Sequence, residues 1–330
     1  PYAELEMRSF KAMILAAGLA TRLRPLTNSR PKVLIPIQNR PLLHWLVEYL
    51  CGAGAEEVII NAHHLSDKLV DSVQRANFPI PAHVQKEKVL LGTGGGIRNV
   101  ADFWDERPFV VINGDILSSI DLREVFIRHE SSGATATLVL KDEPRFNRVQ
   151  VAKDGRILSF SGGPEKHLAF TGIQVLNPEV LAMIPADIPM SIIDCYLQLI
   201  SKGKKVMAHV VKGQYWRELG SLEGYLQVHQ ELFQLKETPF QGLQVDEKQI
   251  VHDSAILGSH TRLDGMVCIG QECELESEVA IQGSIIWDQV KVKTGCSIQR
   301  SIISDGAVVT ESLEGVAVGK EGRVKLTGRL

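Results

Sequence analysis

The 330-residue chain has no apolar run long enough to cross a bilayer, no Cys-x-x-Cys pair, and no cluster of basic residues. The first absence argues against a membrane span. The second, with five scattered cysteines (Cys51, Cys195, Cys268, Cys273 and Cys296), argues against a disulfide framework or a structural zinc site. Small buried thiols in a reducing compartment are expected instead. Thirty-six Lys and Arg against 39 Asp and Glu leave a formal charge of −3, so no field draws the chain to nucleic acid or a membrane surface. A basic start followed by an apolar signal region is also missing. Pro1 to Met7 read as a tag remnant or an extension, and a cytoplasmic protein is expected. No Ser/His/Asp or Cys/His arrangement marks covalent catalysis. The adjacent pair His63-His64 has no third ligand, since chain neighbours point apart, and reads as a strand-end feature.

Other features are richly represented. Length and a 44% apolar content suit two domains with a substantial core. Near the start stands Lys11-Ala-Met-Ile-Leu-Ala-Ala-Gly18-Leu-Ala-Thr-Arg22-Leu-Arg-Pro-Leu-Thr27, followed by Pro31-Lys32. The apolar run Ala12–Ala17 predicts a buried strand that stops at Gly18. The small-residue loop that follows (Ala17, Gly18, Leu19, Ala20, Thr21) lets backbone N–H groups approach phosphate oxygens, and Arg22 and Lys32 supply counter-charge. This is equipment for a nucleoside triphosphate.

From Lys11 to about Gly133, strand-like runs (Ala12–Ala17, Val58–Asn61, Ala82–Gln85, Phe109–Asn113) alternate with helical spacing over Leu42–Ala53, Ser66–Ala76 and Ile97–Phe103. Such alternation predicts an α/β fold: a Rossmann-like, mostly parallel sheet wrapped by helices, with ligands beyond the carboxyl ends of the strands. Further strands are expected at Ala134–Leu140, Val149–Val151, Ile157–Phe160, Phe170–Leu176 and Lys205–Val211. Asp154-Gly155 should form a hairpin turn, and helices are expected over Ser191–Lys202 and Leu222–Leu235. Residues 11–235 thus form one domain and the polar stretch 236–249 a linker.

Residues 250–330 follow another rule. Small or apolar residues recur every six positions at Ala255, Thr261, Val267, Cys273, Val279 and Ile285. A second register runs Leu257, Leu263, Ile269, Leu275, Ile281 and Trp287. After a one-residue slip the two resume at Val290 and Val292. A sixfold repeat broken by Gly, Asp and Ser turns predicts a hexapeptide β-helix, whose coils must stack to bury their inner faces.

The opening string resembles the signature of the sugar-1-phosphate nucleotidylyltransferases, Gly-x-Gly-Thr-Arg-Leu-x-Pro-Leu-Thr followed by Pro-Lys. The repeat resembles the left-handed β-helix behind the catalytic domain of GDP-mannose and ADP-glucose pyrophosphorylases. The resemblance implies attack of a sugar 1-phosphate oxygen on the α-phosphorus of a nucleoside triphosphate, with pyrophosphate leaving. That nucleophile is already an anion, so positioning and charge neutralisation suffice. It further implies Arg22 at the β- and γ-phosphates and Lys32 at the α-phosphate and sugar phosphate. Asp115, in Gly114-Asp115 after an apolar strand, matches a Mg²⁺ ligand. Its partner is implied by Trp216-Arg217-Glu218-Leu219-Gly220-Ser221, where Glu218 replaces the family's Asp.

The glycine cluster Gly92, Thr93, Gly94, Gly95, Gly96 opens a helix and is implied to hold the nucleobase with Gln85. It also resembles the loop of N-acetylmuramate-1-phosphate uridylyltransferases, so the base stays open between guanine and uracil. Thr171 and Gly172 match sugar-contacting residues, with Lys166 a substitute for the family's Glu-Lys-Pro lysine. Ala20 stands where the family has a second glycine, and alanine keeps the loop's shape only if that position does not need positive φ.

Mg²⁺ as cofactor, a nucleoside triphosphate and a sugar 1-phosphate as substrates, no nucleic-acid or membrane partner, and a homo-oligomer formed through the β-helix complete the expectation. Two other readings stay open. One is a non-catalytic regulatory or assembly subunit on the same fold, which Ala20 and Glu218 favour. The other is an acyltransferase in the β-helix, against which the helix is short and its His252 and His260 sit near the entrance.

Overall fold

The structure is a computed structural model that describes residues 9–162, 167–235 and 249–327. Lys166 and nearly all of the expected linker (236–248) lie outside the described residues. The chain forms two compact units: one comprises the residues up to Gly18 with His44–Trp216, and the other Leu19–Leu43 with the residues from Arg217 on.

The first unit is built on nine strands: β1 (Phe10–Leu15), β2 (Ala55–Ala62), β3 (Ala82–Lys86), β4 (Phe109–Asn113), β5 (Ala136–Lys141), β6 (Val149–Val151), β7 (Ile157–Ser159), β8 (His167–Leu176) and β9 (Val206–Val211). The spatial order is β7-β6-β8-β4-β1-β2-β3, with β5 joined to β8 and β9 to β5. Strand β1 runs parallel to β2 and β4, and β2 parallel to β3. Strand β8 is antiparallel to β4 and β5. This is the expected sheet: the apolar runs Met13-Ile14 and Val110-Val111-Ile112 are buried on both faces, as central parallel strands must be. Asp154-Gly155 turns β6 into β7, with Gly155 at φ +85°.

Helix α1 (Leu42–Gly52) and helix α2 (Ser66–Arg75) fall where their spacing places them. Helix α3 does not. It spans Gly92–Arg98, so the glycine cluster is itself the helix, and the expected start at Ile97 lies near its end. Helix α4 (Leu122–Ser132) is capped by Asp121, which accepts from the Arg123 and Glu124 amides, and stops at Gly133 in the left-handed region. Helix α5 is Ile192–Ser201.

The second unit contains helix α6 (Leu222–Gln234), the segment 19–43 and the repeat domain. Within the last, short strands pair in parallel from coil to coil, the arrangement of a β-helix: Gln249–Val251 on Arg262–Ile269, that on Ala280–Ile286, and Ile256–Leu257 on Glu274–Leu275 and then Lys291–Val292. The inner column Val267, Ile269, Cys273, Leu275, Val279 and Ile281 is as read. The slip, however, comes earlier than expected. Asp264 lies opposite Gln282 but Val267 opposite Ser284, so the two residues Gly265-Met266 face the single Gly283, and the sixfold spacing shortens by one there. Ser284 and Ile286 therefore take the inner positions, and Ile285 and Trp287 turn outward. They are buried all the same, because α6 packs against these strands, with Tyr225 edge-on to Trp287.

In α6, His229 is fully buried; its Nδ1 faces the Tyr225 carbonyl at 3.0 Å and its Nε2 accepts the Gln38 N–H at 3.3 Å. Those partners require the neutral ring with the proton on Nδ1. Burial pushes its pKa from 6.5 down to about 4. His129 and His209 are lowered for the same reason. Between pH 6.5 and about 4 the unfolded chain therefore takes up protons at His229 that the folded chain refuses. Stability should be full above pH 6.5 and fall as the pH drops toward 4, and melting curves should show His229→Gln losing part of that slope.

Candidate functional site

In the first unit, β1 ends at Leu15, whose carbonyl accepts the Gly114 N–H at 2.8 Å. A Cβ at Gly114 would stand 2.7 Å from that oxygen, so only glycine lets β4 hand over to Asp115 there. Asp115 is half-buried beyond the carboxyl end of β4, where ligands of parallel sheets gather. Gly172 (φ +78°) carries β8 past the Asn113 side chain, which a Cβ would strike at 2.5 Å. Its neighbour Thr171 is buried with its hydroxyl donating to the Val139 carbonyl at 2.8 Å. The structure thus commits the Thr171 hydroxyl to the sheet.

Asn61 and Glu87, which sequence reasoning passed over, tie the start of the signature loop to the glycine helix. Asn61 Oδ1 accepts the Ala16 N–H at 2.7 Å, and its Nδ2 donates to Glu87 Oε1 at 2.7 Å. The other oxygen of this buried carboxylate accepts the Leu91 N–H, just ahead of α3. A buried polar pair is visible in sequence only as Asn and Glu at two strand ends, which carries no signal of its own. Within α3, the Gly94 and Gly95 N–H groups donate to the Met190 carbonyl at 2.9 and 3.1 Å, and Thr93 Oγ1 accepts the Ile192 N–H. The glycines exist for this approach: a Cβ at Gly92 would stand 2.7 Å from Met190 O, and one at Gly96 2.7 Å from Asn61 Nδ2. Gly94, one of the residues expected near a nucleobase, thus already gives its amide to Met190, whereas Gly92 is exposed. Gln85 is half-exposed near the end of β3.

Ala17 is buried, Gly18 and Leu19 are exposed, and a Cβ at Gly18 would meet no atom within 4 Å, so packing does not require that glycine. In the second unit, Thr21–Leu23 form a 3-10 turn that buries Leu23 and turns Arg22 outward, its side chain 68% exposed. Arg22 Nη2 lies 3.2 Å from Glu218 Oε1. Gly220 makes room for the pair, since a Cβ there would stand 2.8 Å from Glu218 Oε1 and 3.0 Å from Arg22 Nη2. Ser221 then caps α6 by accepting the Gly224 N–H. Lys32 is half-buried at the head of the turn Lys32–Leu34. Ala20 sits at φ 50°, in the left-handed region, with its carbonyl held by Thr27 Oγ1 at 2.8 Å. The position does need positive φ, and alanine there carries strain.

A guanidinium, an ammonium and carboxylates at the ends of strands and turns are the apparatus of a phosphate-handling transferase. The nucleotidyl transferase family matches residues 11–234 and the GMPPB C-terminal domain matches residues 245–325. The chain belongs to the nucleotidyl transferase family. It is 31% identical over 303 residues to the mannose-1-phosphate guanylyltransferase of Mycobacterium tuberculosis, covering 88% of this chain and 83% of that protein. It is 28% identical to the UTP–glucose-1-phosphate uridylyltransferase of Synechocystis, over 89% of this chain and 82% of the relative. The crystal structure of HddC from Yersinia pseudotuberculosis complexed with GMP-PN superposes with a TM-score of 0.57 at 26% identity, covering 66% of this chain and 97% of HddC. The expected fold and enzyme class are borne out. No helix among the described residues is long and apolar enough to cross a membrane.

Two substitutions check this local architecture. Ala20→Gly should relieve the left-handed strain and raise stability by up to about 1 kcal/mol in urea denaturation. Gly96→Ala should cost about 1–3 kcal/mol, because neither Asn61 nor Glu87 can retreat without breaking its hydrogen bonds.

Proposed function

We propose that the protein transfers the guanylyl group of GTP to mannose 1-phosphate or a closely related manno-configured heptose 1-phosphate, releasing pyrophosphate, with Mg²⁺ as cofactor. The observation that carries the reading is the Arg22–Glu218 contact framed by Gly220: two motifs far apart in sequence meet in the second unit. The mannose-1-phosphate guanylyltransferases among the relatives, and a heptose 1-phosphate guanylyltransferase of Aneurinibacillus thermoaerophilus 35% identical over 152 residues, favour guanine. That last match covers 46% of this chain and 66% of the relative. The Synechocystis enzyme and Gln85 favour a uridylyl alternative.

A phosphate oxygen of the sugar attacks the α-phosphorus, the bond to the β-phosphate oxygen breaks, and both electrons leave with pyrophosphate. Arg22 receives the charge that builds on the departing β- and γ-phosphates, and Lys32 neutralises the α-phosphate and the sugar phosphate. Ala17 to Thr21 present backbone to the triphosphate, Gln85 with Gly92 and Thr93 line the base, and Gly172 lies toward the sugar. No group of three or more His, Cys, Asp or Glu among the described residues could hold a metal alone. Hard carboxylate oxygens, one or two to a site, fit a Mg²⁺ completed by phosphate oxygens, and Asp115 and Glu218 would hold it. When bound, the ion neutralises phosphate charge. A cytoplasmic location and self-association through the β-helix belong to the same reading.

Pyrophosphate release measured over GTP, UTP, ATP and CTP with mannose, heptose, glucose and amino-sugar 1-phosphates should be highest for GTP with a manno sugar. Silence across that panel from folded protein refutes the enzyme reading, and a UTP preference refutes the guanine assignment. Asp115→Asn should lower kcat by about 10²–10³-fold without unfolding the protein, and EDTA should silence the wild type.

A further inference from the structure

The segment that carries Arg22 and Lys32 has little regular structure of its own, and in the second unit Arg30 and Asn39 tie it to the β-helix and Pro36 and Gln38 tie it to α6. Arg30 Nε and Nη2 donate to Asp305 Oδ2 and Oδ1 at 3.0 and 2.7 Å, and Nη2 also reaches Asp288 Oδ2 at 3.0 Å. The guanidinium lies 5.0 Å from the centre of the Trp287 ring. Its remaining nitrogen, Nη1, donates to the Leu34 carbonyl at 3.4 Å, in the turn that Lys32 begins. Trp287 Nε1 donates to Tyr225 Oη at 3.1 Å, and that hydroxyl donates to the Pro36 carbonyl. Asn39 Nδ2 donates to the Ile250 and Ile269 carbonyls at 3.1 and 2.7 Å, and the Gln38 amide to His229.

We propose that Arg30, Asp305 and Asp288 form a positioning clamp through which the β-helix sets the orientation of the Lys32 turn, making the β-helix part of the transfer machinery. This rests on the role of Lys32 given above. The geometry is that of a fixed bracket. A bidentate fork restrains the guanidinium in plane, the indole face restrains it from one side, and the fourth bond delivers that rigidity to the turn two residues after Lys32. Asp288 is itself fixed, because its Oδ1 accepts the Gln271 N–H at 2.9 Å and its own N–H reaches Asp305 Oδ1 at 3.3 Å. An ammonium that neutralises charge chiefly in the transition state acts on kcat rather than on ground-state binding. A loosened bracket should therefore show in kcat.

The test uses the full-length protein with Arg30→Gln, Arg30→Lys and Asp305→Asn. As a control, Lys293→Gln removes an exposed β-helix ion pair with Glu276. The clamp predicts a kcat at least tenfold lower in Arg30→Gln and Asp305→Asn with KM for the triphosphate within about threefold, partial recovery in Arg30→Lys, and no change in Lys293→Gln. In a Lys32→Ala background Arg30→Gln should cost nothing further, because the residue it positions is gone. An additive loss in that background, or a kcat within twofold of wild type in Arg30→Gln, overturns the proposal. If the wild type has no activity, the functional reading above fails, and the clamp is decided by amine acetylation read by mass spectrometry. Arg30→Gln should change the labelling rate of Lys32 at least threefold while leaving Lys320 unaltered, and equal rates at Lys32 overturn it.

Discussion

Residues 19–43 cannot hold their own shape. They form 3-10 turns of three residues and a hairpin of two-residue strands, Pro36–Ile37 and Arg40–Pro41, too few backbone hydrogen bonds to offset the entropy of ordering the chain. Their conformation is set from outside, by Arg30 on two carboxylates of the β-helix and by Pro36, Gln38 and Asn39 on α6 and the coils. Burial pushes the Asp305 carboxyl above its ordinary value, outweighing the lowering by Arg30. A pair that pays so much desolvation adds little stability; what it supplies is a single geometry, because the guanidinium and the buried Asp305 carboxylate each need the other in place. The segment therefore groups with the repeat domain although it precedes it by more than two hundred residues in sequence.

Much of the first unit was legible because its signal is local. Phe109–Asn113 was read to the residue, since an unbroken apolar run bounded by Arg-Pro and Gly-Asp allows few alternatives. The glycine cluster was misplaced for the opposite reason. Glycine has low helix propensity, and what makes Gly92–Arg98 a helix is the Met190 backbone packed against it from nearly a hundred residues away. The same contact uses the amide of Gly94, a member of the loop that family likeness places near a base. No window on the sequence contains both partners.

The β-helix shows how a correct period can carry a wrong phase. Ile285, Ile286 and Trp287 are all apolar, so the pattern offers three candidates for the inner column and the slip can be set on either side of them. Three consecutive buried positions arise because α6 covers the outer face here, removing the alternation that would otherwise mark inside from outside. Gly283, at φ +55°, is where the coil is one residue shorter than its neighbour, and a single glycine in a polar turn does not announce it.

The two departures from the signature meet the same segment. Ala20 holds a left-handed conformation that glycine would hold without strain, and it is kept there by Thr27 from the end of the motif. Glu218 carries one methylene more than the aspartate of its motif, and from the second unit it reaches Arg22. An arginine so exposed, paired with one carboxylate oxygen, gains no more than about 1 kcal/mol from the contact. That is small against several charge-assisted bonds to a triphosphate. The pair thus holds the guanidinium in a defined place, and in the proposed reaction it would yield to phosphate at little cost. The longer side chain is then a compensation: it restrains an arginine whose loop alanine has made less comfortable. Gly220 is what permits it, since any side chain there would separate the two charges.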